Sequence, residues 1–363
     1  MITLFWPYIS KRVASALAEV LSTRWIGQGP KVDDLEQKFS GLTRATHSVA
    51  VNSCTSALHL SLILAGVQEG DEVVTTPLTC SATNIPILYC RAKPVFADLK
   101  EETLNIDPGS VASHITKKTK TILAVHWGGE PCDLDEIHRI AQKHDLPVVE
   151  DAAHALGATY HGKPIGSISN FTCFSFQAIK QITSGDGGML TLQDPAHAKR
   201  AKLLRWYAMD RTCKGDIYEK HQIREVGFKY HMNDIVATMA MVQLDDLVDI
   251  NKRRGQLVDR YRTGLAGVAG LTLLRQNPDR ESGNWLFTVL VKKREAFMKK
   301  LASEEIETSL VHVRCDLIPI FGGRRQPLPV MDRLEKEYVC IPLHNRLADD
   351  DIGKVIRVIR SGW

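Results

Sequence analysis

The chain has little of what marks several large protein classes. Its eight cysteines, at 54, 80, 90, 132, 173, 213, 315 and 340, form no C-x-x-C pair. Scattered thiols, some inside apolar runs as at Cys90 and Cys173, exclude a disulfide framework and read as reduced cytoplasmic cysteines. No apolar stretch is long enough to span a bilayer, so no membrane role is expected. The start, Met1 to Ile9, is apolar but lacks a basic leader and a small-residue cleavage site, so no secretory signal is expected. Charge of one sign is missing too. Lys and Arg total 46 against 42 Asp and Glu, a net +4 dispersed along the chain, which argues against a nucleic-acid surface. Thirteen histidines include no H-E-x-x-H, and no metal site is expected. No G-x-G-x-x-G follows the early strands, which argues against a nicotinamide enzyme. Repeats, low-complexity segments and long linkers are absent as well.

What remains is an ordinary globular composition, 44% hydrophobic and 24% charged, on 363 residues, enough for two packed domains. Short apolar runs alternate with amphipathic stretches. Strands are expected at 72–76, 93–98, 121–125, 148–150 and 171–174. Helices are expected at 56–65, capped by Ser53 or Thr55, at 83–89, and at 133–144, where Leu134, Ile137, Ile140 and Ala141 share a face. This alternation predicts an α/β fold, a mostly parallel sheet flanked by helices. Ligands in such sheets bind at the carboxyl ends of the strands, where Asp151 and Ser175 fall. From about Asn233 the pattern changes. One long helical stretch is expected from Ile235 through Tyr261. Strands follow at 271–274 and 285–291, and helices at 294–304 and 349–359. The reading is a large domain over 1–245 and a smaller α+β domain over 246–363.

Two runs carry the chemistry. Lys180 stands in Phe174-Ser175-Phe176-Gln177-Ala178-Ile179-Lys180-Gln181-Ile182, ahead of Ser184-Gly185-Asp186-Gly187-Gly188. Upstream, Glu150-Asp151-Ala152-Ala153-His154 follows the apolar run Leu146-Pro147-Val148-Val149. Taken alone, Lys180 is a solvated loop charge and Asp151 a helix cap. Together, a lysine past one strand and an acid at the end of another are what pyridoxal phosphate (PLP) requires. The lysine forms a Schiff base with the aldehyde, and the acid pairs with the pyridinium nitrogen.

These runs resemble the nucleotide-sugar aminotransferases of the DegT/DnrJ/StrS group. The resemblance covers nearly the whole chain. It begins at Trp25-Ile26-Gly27-Gln28-Gly29-Pro30, includes Asn52-Ser53-Cys54-Thr55-Ser56-Ala57-Leu58, and ends near Ile341-Pro342-Leu343-His344. It implies the fold type I architecture of PLP-dependent transferases. Lys180 becomes the Schiff-base lysine and proton carrier, and Asp151 the partner of the ring nitrogen. His154, where the family has glutamine, lies by the phenolic oxygen; read alone, it is a packed helix residue. Cys54 and Thr55 match the family's Gly-Thr pair at a phosphate-binding helix start, with Ser175 as a second phosphate hydroxyl.

Two departures stand out. Cys80 occupies the place of an aromatic residue or histidine that stacks on the ring. Lys229, in Gly227-Phe228-Lys229-Tyr230-His231-Met232-Asn233-Asp234, replaces an asparagine that reaches the phosphate of the neighbouring subunit. The latter implies a homodimer with shared active sites. Trp25, Gly27 and Gln28 border the sugar pocket in the family. His312, Arg314 and His344 come from the smaller domain and are further candidates to face the substrate. The implied reaction moves an amino group from glutamate to the keto group of a nucleotide-linked sugar, ping-pong through pyridoxamine phosphate. Two alternatives stand beside it. Family members that dehydrate sugars carry histidine in place of the lysine, so Lys180 argues against that reaction. A non-catalytic regulator would not need Lys180 and Asp151.

Overall fold

The computed structural model describes residues 1–363, the side chain of Lys220 apart. Seven strands form the main sheet: β1 (His47–Val51), β2 (Glu72–Thr75), β3 (Lys93–Phe96), β4 (Thr119–Val125), β5 (Val148–Asp151), β6 (Phe171–Ser175) and β7 (Gly188–Leu192). Their spatial order is β1-β7-β6-β5-β4-β2-β3. The pairs β3/β2, β2/β4, β4/β5 and β5/β6 are parallel. The pairs β6/β7 and β7/β1 are antiparallel. The mostly parallel α/β sheet is therefore present, with an antiparallel edge at β7 and β1. Those two strands are additional to the expected set. β7 starts at the last glycine of the Gly185–Gly188 run, and its five residues are too few to show a period.

Helices cover both faces. Helices α1 (Val13–Leu21) and α2 (Pro30–Thr43) precede β1, and α3 (Cys54–Leu64) follows it. α3 is apolar on nearly every side because it is buried nearly all round. Ser53, in an extended conformation, caps it by accepting from Ser56 N at 3.1 Å. After β2 comes α4 (Ser81–Tyr89), and after β4 comes α5 (Leu134–Lys143), whose Leu134, Ile137, Ile140 and Ala141 are buried on one side.

The expected single helix over 235–261 is two helices, α6 (Asp234–Leu244) and α7 (Leu247–Leu265). The break falls at Asp245 and Asp246. Arg12 pairs with both carboxylates, Lys38 with Asp245, and the Tyr8 hydroxyl donates to Asp246 at 3.0 Å. Two adjacent acids drawn to partners on the N-terminal segment end one helix and start the next.

A second sheet, β8 (Leu271–Leu273), β9 (Phe287–Val291) and β10 (Tyr338–Ile341), is antiparallel. α7 and the closing helix α8 (Asp349–Arg360) share its core, with Leu257, Tyr261, Val355 and Ile359 against Val289 and Val339. The chain's first residues join this layer, where Ile2 pairs with Ile306. Another apolar cluster bridges the two sheets, joining Leu78, Phe96 and Trp127 to Trp285, Leu328 and Tyr338.

Candidate active site

A cleft of about 340 Å³ lies at the carboxyl ends of the parallel strands. That size and place suit a small-molecule site. Asp151 ends β5 and Ser175 ends β6, so the sheet itself sets both side chains at the cleft. No helix follows Asp151; the chain runs into turns. The acid is therefore not a helix cap. Its Oδ2 accepts from the Thr83 hydroxyl at 2.7 Å, and its Oδ1 from Ala153 N at 3.0 Å. The Cys54 thiol lies 3.9 Å from the same Oδ1.

Lys180 also lines the cleft and is 9% exposed, so it is not a solvated loop charge. Burial pulls its amine down to about 8, against the opposing pull of Asp151, Cys54 and Cys80. Such an amine is a base near neutral pH.

The start of α3 forms another wall. A helix leaves its first four N–H groups without intrahelical acceptors. The Ser53 hydroxyl takes that of Ser56, the Ser53 carbonyl accepts the first regular helix bond from Ala57 N, and the amides of Cys54 and Thr55 come first in the helix, with both residues in the cleft wall. Such a helix start suits an anion. Gly188 makes room for it. A Cβ there would meet Ser53 C at 2.5 Å and Cys54 N at 2.6 Å, so only glycine lets β7 run this close.

His154, in a turn rather than a helix, is buried against the cleft, and its Nδ1 has no hydrogen-bond partner. Burial and the nearby Lys180 charge hold this imidazole well below its usual range, so it is neutral. His312 lines the cleft with its ring parallel to that of His154, 5.6 Å away, and burial pulls it to about 3. Its Nε2 is also without a partner. Cys80, the residue before α4, lines the cleft as a half-buried thiol.

The remaining candidates lie elsewhere. Trp25 and Gln28 line a separate depression with Arg205 and Arg211, and Gly27 uses its carbonyl to accept from Asp234 N. Lys229 is exposed, with its Nζ 5.8 Å from the Tyr207 ring centre, and does not line the cleft. His344 is buried against Thr3, with Nε2 3.1 Å from the Thr3 carbonyl. Arg314 is not turned to the cleft. It is 2% exposed and its guanidinium is occupied by Asp316 at 2.6 Å and Asp332 at 2.5 Å. In sequence Arg314 is a candidate because a guanidinium could pair with a diphosphate or a donor carboxylate, but in the structure the carboxylate at 316 claims it.

Three residues at the site carry no signal in the sequence. Thr83 touches Asp151 only because β2 and β5 bring distant segments together. Gln181 donates to the His154 carbonyl at 2.6 Å and to that of Gly283 at 3.2 Å, tying the lysine loop to both. Trp285 enters the cleft wall from the strand segment before β9.

Comparisons with known proteins bear on the chain as a whole. The model of the DegT/DnrJ/EryC1/StrS aminotransferase family matches residues 7–360. Spore coat polysaccharide biosynthesis protein SpsC of Bacillus subtilis (strain 168) is 37% identical, over 98% of this chain and 95% of its own length. The sugar aminotransferase CalS13 from Micromonospora echinospora superposes with a TM-score of 0.96 at 34% identity, over 100% of both chains. The PLP form of Spr1654 from Streptococcus pneumoniae superposes with a TM-score of 0.92 at 29% identity, over 99% of this chain and 97% of that one. The chain belongs to the DegT/DnrJ/EryC1/StrS aminotransferase family, and it is a PLP-dependent transaminase of fold type I.

Proposed function

We propose that this chain carries an amino group from glutamate to the keto group of a nucleotide-linked sugar, in two half-reactions with ping-pong kinetics, and that PLP sits in the cleft around Lys180. The observation that carries this reading is the buried Lys180 amine, lowered to about 8, in one cleft with the Asp151 carboxylate and the open start of α3.

The residues fit the cofactor group by group. The cleft offers a primary amine for an aldehyde, a carboxylate for a ring nitrogen, and helix amides with the Thr55 and Ser175 hydroxyls for a phosphate. The unpartnered His154 Nδ1 is a buried polar atom awaiting a partner in the same place. PLP supplies an electron sink that weakens the C–H bond beside the amino nitrogen.

The chain's own residues do the rest. Lys180 Nζ takes the proton from the carbon bearing the amino group and returns one to the acceptor side. Asp151 holds positive charge on the ring nitrogen, and Thr83 with Ala153 N fixes the plane of its carboxylate. Cys80 contributes a thiol to the cleft wall in place of a ring. His312, whose imidazole burial holds well below its ordinary range, faces the substrate as a neutral hydrogen-bonding group. Lys229, exposed and away from its own cleft, supplies a positive charge to the phosphate held by a second copy in a homodimer. Eight free thiols suit work in the reducing cytoplasm.

The test is the visible spectrum of the purified protein with PLP, before and after glutamate, beside Lys180→Ala. A yellow band in the native protein that glutamate bleaches, and that the variant lacks, is the expected result. A band indifferent to Lys180 would overturn the assignment.

A further inference from the structure

Trp285 is the least expected wall of the cleft. It is 1% exposed and is held from several sides. Its backbone N donates to the Gly128 carbonyl at 2.8 Å, and its indole Nε1 donates to the Ile179 carbonyl at 2.8 Å. Its own carbonyl and that of Asn284 accept from Arg254 Nη1, at 3.4 and 3.2 Å. Arg254, itself 2% exposed, also donates to the Leu343 carbonyl and to Asn345 Oδ1. The indole stacks on His154, with ring centres 3.8 Å apart and planes 22° apart. Lys180 Nζ lies 3.6 Å from the centre of the Trp285 ring.

We propose that Trp285 is a positioning residue for the transamination, its indole face being the seat on which the Lys180 ammonium rests whenever that amine is not bonded to the cofactor. This rests on the reading of Lys180 as the proton carrier. A lysine amine on four flexible carbons has many rotamers, and a proton carrier must return to one place between half-reactions. The negative face of an indole attracts an ammonium most strongly in a dry site. The charged and titratable groups sharing the cleft wall with Lys180 are Asp151, Asp186, Cys54, Cys80, His154 and His312. Both histidines are neutral, so neither repels the ammonium, and Asp151 draws it toward the cofactor position. The anchor from Nε1 to Ile179, next to the lysine in sequence, fixes ring and lysine backbone together.

The experiment uses the full-length chain, freed of cofactor and labelled with 5-fluorotryptophan. Trp285→Phe identifies its fluorine resonance by loss. That resonance is expected to titrate with a midpoint near the Lys180 value of about 8 and to stop titrating in Lys180→Met. In parallel, the pH dependence of Lys180 acetylation is read by mass spectrometry. Trp285→Leu, which removes the face, is expected to lower the Lys180 midpoint by about one pH unit, and Trp285→Phe to restore most of it. A Trp285 resonance that ignores Lys180, or equal midpoints in wild type and Trp285→Leu, overturns the inference. Should Trp285→Leu fail to fold, the fluorine titration of wild type against Lys180→Met decides alone. Neither readout needs bound PLP, so failure here is separable from failure of the proposed reaction.

Discussion

The Thr83 hydroxyl donates to Asp151 Oδ2 at 2.7 Å, while Ala153 N donates to Oδ1 at 3.0 Å. Thr83 is itself 2.7 Å from the Thr79 hydroxyl, so the carboxylate ends a short chain of hydroxyls. An oriented charge matters more than a charge alone, because reorienting it during the reaction costs energy. Thr83→Val is expected to lower kcat about tenfold with KM nearly unchanged, the loss of one charge-assisted hydrogen bond. Asp151→Asn removes the charge and is expected to lower kcat by about a hundredfold or more while the cofactor still binds. Steady-state kinetics with PLP titration checks both. An Asp151→Asn enzyme with native turnover sinks the role given to the acid.

The Lys180 amine makes the cofactor-free chain less stable. Its folded value of about 8 lies below the ordinary 10.5, so the unfolded chain binds the proton more tightly. Stability therefore rises with pH from about 8 toward 10.5, and below 8 the full cost is present. Lys180→Met keeps the volume and removes the buried charge. The variant is expected to be more stable than the cofactor-free wild type at pH 7 by about 3 kcal/mol, the difference fading toward pH 10.5. Urea unfolding across pH 6–10 measures it. A pH-independent difference would count against the buried, charged lysine.

Gly188 is a space requirement at the start of α3. Any Cβ there displaces the backbone of Ser53 and Cys54, which lie 2.5 and 2.6 Å from its position. Gly188→Ala is expected to shift the start of α3 and weaken PLP binding at least about tenfold, since phosphate contacts depend on amide placement. Equilibrium titration by absorbance measures it, with Tm as a control for folding. Native affinity in this variant would show that the helix start does not hold the phosphate.

Arg314 makes the opposite case, a substrate candidate turned away from the cleft that works for stability. Its partners Asp316 and Asp332 include one fully buried carboxylate. Arg314→Met strands the Asp316 charge and is expected to destabilise the fold by about 3–5 kcal/mol. The KM values of whatever remains folded should stay native. A raised sugar KM with unchanged Tm would return Arg314 to the substrate.

The sequence shows the core of this site because its chemistry is local. Asp151 ends a strand and Lys180 lies in the turn just past another, and apolar runs with strand spacing are visible without a structure. The adjacent acids show the limit. Side chains alternate along a strand, so Glu150 points away from the cleft. It is fully buried and bonds His126 Nε2 at 2.7 Å, Ser169 N at 3.2 Å and the Thr172 hydroxyl at 3.2 Å. Burial pushes its carboxyl up, yet these bonds outweigh it and hold it low. Glu150 and Asp151 stand side by side, and it is the family resemblance rather than any spacing that picks Asp151 for the site and leaves Glu150 as the strut. Thr83, Gln181 and Trp285 are silent for another reason. Each acts through contacts between segments far apart in the chain, and no spacing rule reports those. The helix break at Asp245 and Asp246 is of the same kind, since Arg12 and Lys38 make it from outside the helix.

Lys229 gives the sharpest test of a shared site. It is exposed and points to the Tyr207 ring rather than to its own cleft. If it serves the phosphate of a second copy, two crippled chains should repair each other. Lys180→Ala keeps Lys229 but has no proton carrier; Lys229→Ala keeps Lys180 but offers no charge across the interface. In a hybrid dimer one site combines intact Lys180 with intact Lys229 from its partner. Random reassociation of equal amounts makes half the dimers hybrid, each with one working site, so about a quarter of native activity is expected to return. Mixing after reversible dissociation, followed by a coupled assay for 2-oxoglutarate, reads it. Recovery no greater than the sum of the two variants would place Lys229 outside the active site altogether.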